Sequence, residues 1–287
     1  MAPTDGDTSG PSGVARAGAV PQASGAQPGQ PRRTRRRVRL RTVLLVLVAL
    51  FALAVVAFVV WASLARPAEP AALQAVIDDA EVEVTLGAVV ELRPAGVEPR
   101  RGVVFYPGAR VHREAYVASW APIVAATDTL VLIPRMPLNL AFFGRSRADG
   151  LIADTPGIDE WWVGGHSLGG AMAASWLGDQ EPGAVDGLTL WASFSTAGAG
   201  LEDRDELSVL SVSGSRDGLA TPQDIDERRD LLPEDARMVE VEGMNHAQFG
   251  AYGPQARDLE PTISDRAARS ALADAHLAAF TTTDGDL

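Results

Sequence analysis

The segment Gly165-His166-Ser167-Leu168-Gly169 constrains the fold of this chain more than any other stretch. A serine with a glycine two residues before it and another two residues after it fits a strand that turns sharply into a helix. Only the smallest side chains fit at the flanking positions of such a turn, which holds the serine in a strained conformation with its hydroxyl projecting from the sheet edge. The flanks agree. Trp161-Trp162-Val163 reads as a short buried strand, and Ala171-Met172-Ala173-Ala174-Ser175-Trp176 as a close-packing helix. The pattern predicts a nucleophilic serine.

The N-terminal quarter is organised differently. Residues 1–41 are rich in Pro, Gly, Ala and Ser, with almost no large apolar side chain before Val38, and cannot bury enough surface to offset the entropy of ordering. They read as a disordered tail ending in Arg32, Arg33, Arg35, Arg36, Arg37, Arg39 and Arg41. An uninterrupted apolar run then extends from Val43 to Ala62. Twenty helical residues span roughly 30 Å, the hydrocarbon thickness of a bilayer, so residues 42–64 are expected to form one transmembrane helix. Arginines accumulate on the cytoplasmic side, which puts the tail inside and everything after Trp61 outside. The competing reading is a cleaved signal peptide with Ser63-Leu64-Ala65 as its cleavage site; the length of the apolar run and of the leader favours an uncleaved anchor.

Charge and composition exclude several chemistries. Residues 1–66 hold nine arginines and two aspartates, a net +7, so the rest of the chain carries −19 of the total of −12. Such an acidic surface repels anionic polymers, and nucleic acid is not an expected partner. All 25 basic residues are arginines, which excludes a lysine nucleophile or Schiff base. The chain also has no cysteine, which removes thiol nucleophiles, disulfides and cysteine metal sites together.

Residues 65–78, beginning Ala65-Arg66-Pro67-Ala68-Glu69-Pro70, read as a linker because prolines interrupt helix. Residues 79–287 suit one domain of α/β type. Strands are expected at 82–86, 89–93, 103–106, 130–133, 162–164, 188–191, 209–212 and 238–241. The first two alternate and suggest an antiparallel hairpin turned at Gly87. The others are short continuous apolar runs between helical segments at 115–126, 146–153, 168–177 and 222–231, with a closing helix at 265–280. That alternation predicts a mainly parallel twisted sheet of about eight strands buried on both faces. Ligands of such sheets bind beyond the carboxyl ends of the strands.

Serine is a poor nucleophile at neutral pH, so Ser167 needs a general base and a group that orients that base. Four histidines are available. His166 precedes the nucleophile and points elsewhere, as structure or pocket wall; His276, in the terminal helix, reads as a surface residue; His112 comes early enough only to line a pocket. His246 lies in Glu242-Gly243-Met244-Asn245-His246, a loop directly after the last strand, and is the expected base. Asp217 follows the 209–212 strand in Ser213-Gly214-Ser215-Arg216-Asp217-Gly218 and is the expected acid. An oxyanion needs backbone donors, and these fall to the Leu168 amide and to the turn Tyr106-Pro107-Gly108-Ala109-Arg110, with Ala109 as the chosen amide.

In their order and spacing, Gly165-x-Ser167-x-Gly169, Gly214-x-x-Asp217 and Gly243-x-x-His246 resemble the α/β-hydrolase superfamily, particularly its compact dienelactone-hydrolase-like members. The resemblance covers about residues 80–280. It implies Ser167, Asp217 and His246 as nucleophile, acid and base, with the Ala109 and Leu168 amides as oxyanion hole, and no metal or organic cofactor. The chain has Pro107-Gly108 where many members have His-Gly, and a serine where dienelactone hydrolases use cysteine, so lactone specificity does not follow.

The interval 192–208 is too short for the lid that larger members insert, which predicts an open site. Arg110, His112, Met136, Leu138 and Phe142 are the expected pocket residues, the last three in the apolar loop 134–143. The expectation is a membrane-anchored extracytoplasmic serine hydrolase acting on an ester, thioester or related acyl bond of a small acyl substrate or envelope lipid. The alternatives are an acyltransferase using the same triad on an envelope lipid or glycan, and a catalytically inactive binding domain.

Overall fold

A computed structural model describes Gly25 and residues 32–283, with side chains from Arg39 to Thr281. Most of the expected tail, including everything before Gly25, lies outside the described residues. Two compact units divide between Leu53 and Ala54. Helix α1, Arg32–Ser63, crosses that division. It starts ten residues before the expected boundary and takes in the arginine run, consistent with the high helix propensity of arginine next to an apolar helix. Within it, Arg39–Ser63 is long and apolar enough to cross a membrane.

The second unit carries an eight-stranded sheet in the order β1-β2-β4-β3-β5-β6-β7-β8. The strands are β1 Val82–Thr85, β2 Val89–Pro94, β3 Arg101–Tyr106, β4 Thr129–Pro134, β5 Glu160–His166, β6 Gly187–Trp191, β7 Ser208–Gly214 and β8 Arg237–Val241. β1 and β2 form the expected antiparallel hairpin, and β2 is also antiparallel to β4. From β4 to β8 all pairs are parallel. Alternate residues of each strand face opposite layers. On β3, Val103 and Phe105 join a core with Trp120, Trp191, Phe249 and Phe280, while Val104 and Tyr106 join one with Leu132, Trp176, Leu177 and Leu190. Helices α3 (Val117–Thr127) and α7 (Asp265–Thr283) cover the first face; α4 (Arg147–Ala153) and α5 (Leu168–Gly178) cover the second. The continuous apolar strands follow from this two-sided burial.

Three local expectations change. The linker contains a helix, α2, Pro70–Ile77, in which Pro70 starts the helix instead of breaking it, because its missing N–H falls where no intrahelical partner exists. Val76 of α2 is buried in the first core. The helix expected at 222–231 breaks into α6, Pro222–Asp226, and a 3₁₀ turn, Arg229–Leu231. His276 is fully buried instead of facing solvent: its Nδ1 lies 2.8 Å from the Leu272 carbonyl, and its Nε2 3.1 Å from the Thr189 hydroxyl. Burial pushes its pKa down to about 4, so it is neutral at pH 7.

Candidate active site

Ser167 connects β5 to α5 at φ 52 and ψ −123, a conformation that L-residues with a side chain seldom adopt. The flanking glycines are required by close approach. A Cβ on Gly165 would lie 2.6 Å from both the Gly170 nitrogen and the Tyr106 carbonyl oxygen. One on Gly169 would overlap the Tyr106 carbonyl and stand 2.6 Å from the Pro107 oxygen. The β3 turn and the serine turn are thus pressed backbone to backbone, and only hydrogen fits between them.

Asp217 follows β7 and His246 follows β8, so both stand at the same carboxyl edge of the sheet as Ser167. His246 Nδ1 lies 2.7 Å from Asp217 Oδ2, with both residues 2% exposed. Asp217 Oδ1 accepts the Leu219 and Ala220 N–H groups at 2.8 Å each, which fixes the carboxylate in plane and rotamer. The His246 ring stands 4.4 Å from that of His166, the residue before the serine. Only half-buried, Ser167 stays open to an approaching ligand.

The turn after β3 has one uncommitted donor. The Gly108 N–H donates to the Tyr116 hydroxyl at 2.8 Å, the Arg110 N–H to the Asn139 carbonyl at 2.8 Å, and the Val111 N–H to Gly108 O at 3.2 Å. Among the described residues no acceptor takes the Ala109 N–H. The Leu168 N–H opens α5, where a helix has no carbonyl of its own to offer. Two free amides therefore remain at the residues expected to hold an oxyanion.

The sequence of this site falls within a recognised family. A family model described as "Alpha/beta hydrolase family" matches residues 102–270, more than half of the chain. The chain belongs to the alpha/beta hydrolase family. Comparison with curated proteins returns no match. Among solved structures, an esterase from Pyrobaculum calidifontis is similar at 15% identity, over 74% of this chain and 89% of that one, with a TM-score of 0.51. Est1E from Butyrivibrio proteoclasticus, solved with ferulic acid bound, is similar at 11% identity, over 71% of this chain and 98% of that one, with a TM-score of 0.52. Carboxyl esterase 2 from the fungus Tuber melanosporum is similar at 12% identity, over 72% and 87%, with a TM-score of 0.51. At these identities the likeness is one of fold, an alpha/beta hydrolase fold shared with esterases.

Two residues that sequence reasoning passed over support this hydrolase site. Asp258 sits on a loop beyond the last strand and accepts N–H groups from Gly218 at 3.1 Å, His246 at 3.3 Å and Ala247 at 2.9 Å. One carboxylate thereby ties the loop of Asp217 to the loop of His246. Tyr116 accepts from Gly108 and lies 2.9 Å from His166 Nδ1. Burial raises the Tyr116 pKa and keeps its hydroxyl protonated, so it donates to Nδ1 and leaves the His166 proton on Nε2. His166 Nε2 is buried without a well-aligned partner; the His246 backbone carbonyl is near but does not meet hydrogen-bond geometry. Burial first, and the neighbouring His246 second, hold the His166 pKa well below its ordinary value.

The expected pocket residues disperse. Met136 is 3% exposed and packs in the second core, and Leu138, at φ 53, borders a cleft of about 750 Å³ between the 134–138 loop and α4 that no triad candidate lines. Phe142 is 65% exposed and points outward. His112 opens the 3₁₀ turn Arg113–Tyr116, its N–H bonded to Arg66 O. The Arg110 guanidinium is engaged by the end of α1: Nη2 donates to Leu64 O at 2.7 Å, and the group lies over the Trp61 ring at 4.6 Å. Its buried Nε has no hydrogen-bond partner among the described residues.

Proposed function

We propose that this alpha/beta hydrolase is a membrane-anchored, extracytoplasmic serine esterase that works through an acyl-enzyme on Ser167. The observation that carries the reading is the 2.7 Å bond between His246 Nδ1 and Asp217 Oδ2 at the strand ends beside a strained serine. His246 takes the Ser167 proton on Nε2 as Oγ attacks the ester carbonyl, and Asp217 stabilises the imidazolium that forms. The Ala109 and Leu168 amides receive the oxyanion. When the tetrahedral intermediate collapses, the C–O bond to the alcohol breaks and His246 passes the proton to the departing oxygen. Water then attacks the acyl-enzyme with His246 again as base, releasing the acid and restoring the serine.

Anchoring rests on the apolar length of Arg39–Ser63 and orientation on the arginines before it. Contacts of the helix end with the hydrolase domain favour retention over cleavage: Ala62 is buried, and its carbonyl accepts from Asn139 Nδ2 at 3.1 Å. Removal at Ser63-Leu64-Ala65 would discard them.

Full-length protein in detergent should hydrolyse p-nitrophenyl acetate with a burst of nitrophenol matching the enzyme concentration, and Ser167→Ala should abolish it. Turnover that persists in the variant contradicts the reading. Protease added to intact cells should reach the chain after Trp61; complete protection contradicts the orientation.

A further inference from the structure

The end of α1 is fastened to the edge of the sheet that carries Ser167. Besides the Ala62 and Leu64 carbonyl contacts, the chain leaving the helix pairs with the oxyanion turn itself. The Arg66 N–H donates to Arg110 O at 2.7 Å, and the His112 N–H to Arg66 O at 2.9 Å. Ala109, with its free amide, is the residue next to Arg110. Whatever surface surrounds the helix end therefore borders the catalytic edge.

The loop beside that edge is apolar and outward. The ring of Phe143 lies 6.3 Å from that of Phe58, edge-on, and 5.3 Å from that of Phe142. Phe58 precedes the last residue of α1 by five positions, which at 1.5 Å per residue is about 7.5 Å back along the helix. A loop of the hydrolase domain thus reaches the level of a residue inside the apolar span. Phe142, Phe143, Trp61 and Leu64 are 65%, 48%, 46% and 66% exposed. Aromatic and apolar groups at that depth match the boundary between headgroups and acyl chains.

We infer that Phe142 and Phe143 are immersed in the outer leaflet beside the end of α1, and that the substrate is an ester borne by a lipid of that leaflet. The occupant of this apolar rim is bilayer lipid, because the rim is continuous with the spanning helix. The inference rests on the anchored-esterase reading and names its substrate class. An acyl chain held in the leaflet presents its ester at the headgroup level, next to the oxyanion turn, and reaches Ser167 without crossing water.

The cysteine-free chain allows a direct test. Full-length Phe143→Cys, labelled with an NBD maleimide and reconstituted into phosphatidylcholine–phosphatidylglycerol vesicles, should be quenched by lipids carrying a nitroxide near the headgroup. Asp235→Cys, exposed on the loop entering β8 at the opposite sheet edge, should be quenched by aqueous iodide instead. Position 143 open to iodide, or shielded from both quenchers as under a protein partner, overturns the inference. In the same vesicles, Phe142→Ser with Phe143→Ser should lower the rate on bilayer-borne p-nitrophenyl palmitate, relative to soluble p-nitrophenyl acetate, by ten-fold or more. Acetate hydrolysis with an unchanged ratio overturns this inference alone. No hydrolysis of either ester by the parent protein overturns the esterase reading beneath it.

Discussion

Replacing Asp217 with asparagine isolates the carboxylate's role from its shape. Asp217 Oδ1 accepts two backbone N–H groups at 2.8 Å, and Oδ2 faces His246 Nδ1 at 2.7 Å. An asparagine keeps its oxygen on the two amides, since the reverse orientation would aim donors at donors. Its NH₂ then points at His246 Nδ1, which must accept, and the ring proton moves to Nε2. That nitrogen has to take the Ser167 proton and no longer can. The expected loss is roughly 10³–10⁴-fold in kcat, or about 4–5.5 kcal/mol at 1.36 kcal/mol per decade. Asp217 is 2% exposed and reaches no substrate, so KM should change less than about three-fold. The assay is steady-state hydrolysis of p-nitrophenyl acetate by the full-length protein, with Tm measured in parallel to show that the fold is intact. A folded variant with kcat within ten-fold of the parent would refute the tautomer argument.

Other perturbations test the surrounding framework. His276 is neutral in the fold with a pKa near 4 against an ordinary 6.5, so the unfolded chain binds more protons between those values and stability falls as pH drops through that window. His276→Gln should remove about 3 kcal/mol of that acid sensitivity, read as the difference in urea-unfolding free energy between pH 7 and pH 4; equal slopes in both proteins would contradict it. Gly169→Ala places a methyl against the Tyr106 and Pro107 carbonyls and should cost about 1–3 kcal/mol and most of the esterase activity; a Tm and kcat like the parent's would show that the two turns are not pressed together. Tyr116→Phe leaves the Gly108 N–H without its acceptor and should cost about 1–3 kcal/mol, with kcat falling more than KM rises as the oxyanion turn loosens; an unchanged kcat argues against that turn as the donor.

What the sequence made legible was local or periodic. Glycines two residues on either side of Ser167 specify a close approach that only hydrogen survives, and continuous apolar runs such as Val103-Val104-Phe105 mark strands covered on both faces. Asp217 and His246 stand directly after strands, so chain order alone put them at one edge. What stayed hidden depends on contacts between distant segments. Asp258 acts on Gly218, forty residues away, from a loop with no periodic signal. His276 looks like one polar residue of a terminal helix until Thr189 and Leu272 enclose it. Arg110 reads as a pocket residue because its neighbour, the end of α1, adjoins it only in three dimensions. Met136 and Phe142 are equally apolar in sequence, and only the packing shows that one is core and the other faces out.

The most direct test of the account is covalent capture of the nucleophile. Full-length protein treated with a fluorophosphonate should gain a single adduct by intact mass, mapped by peptide sequencing to Ser167 and absent from Ser167→Ala. An adduct retained in that variant, or esterase turnover by a parent protein that the reagent never labels, would contradict Ser167 as the residue that carries the acyl group.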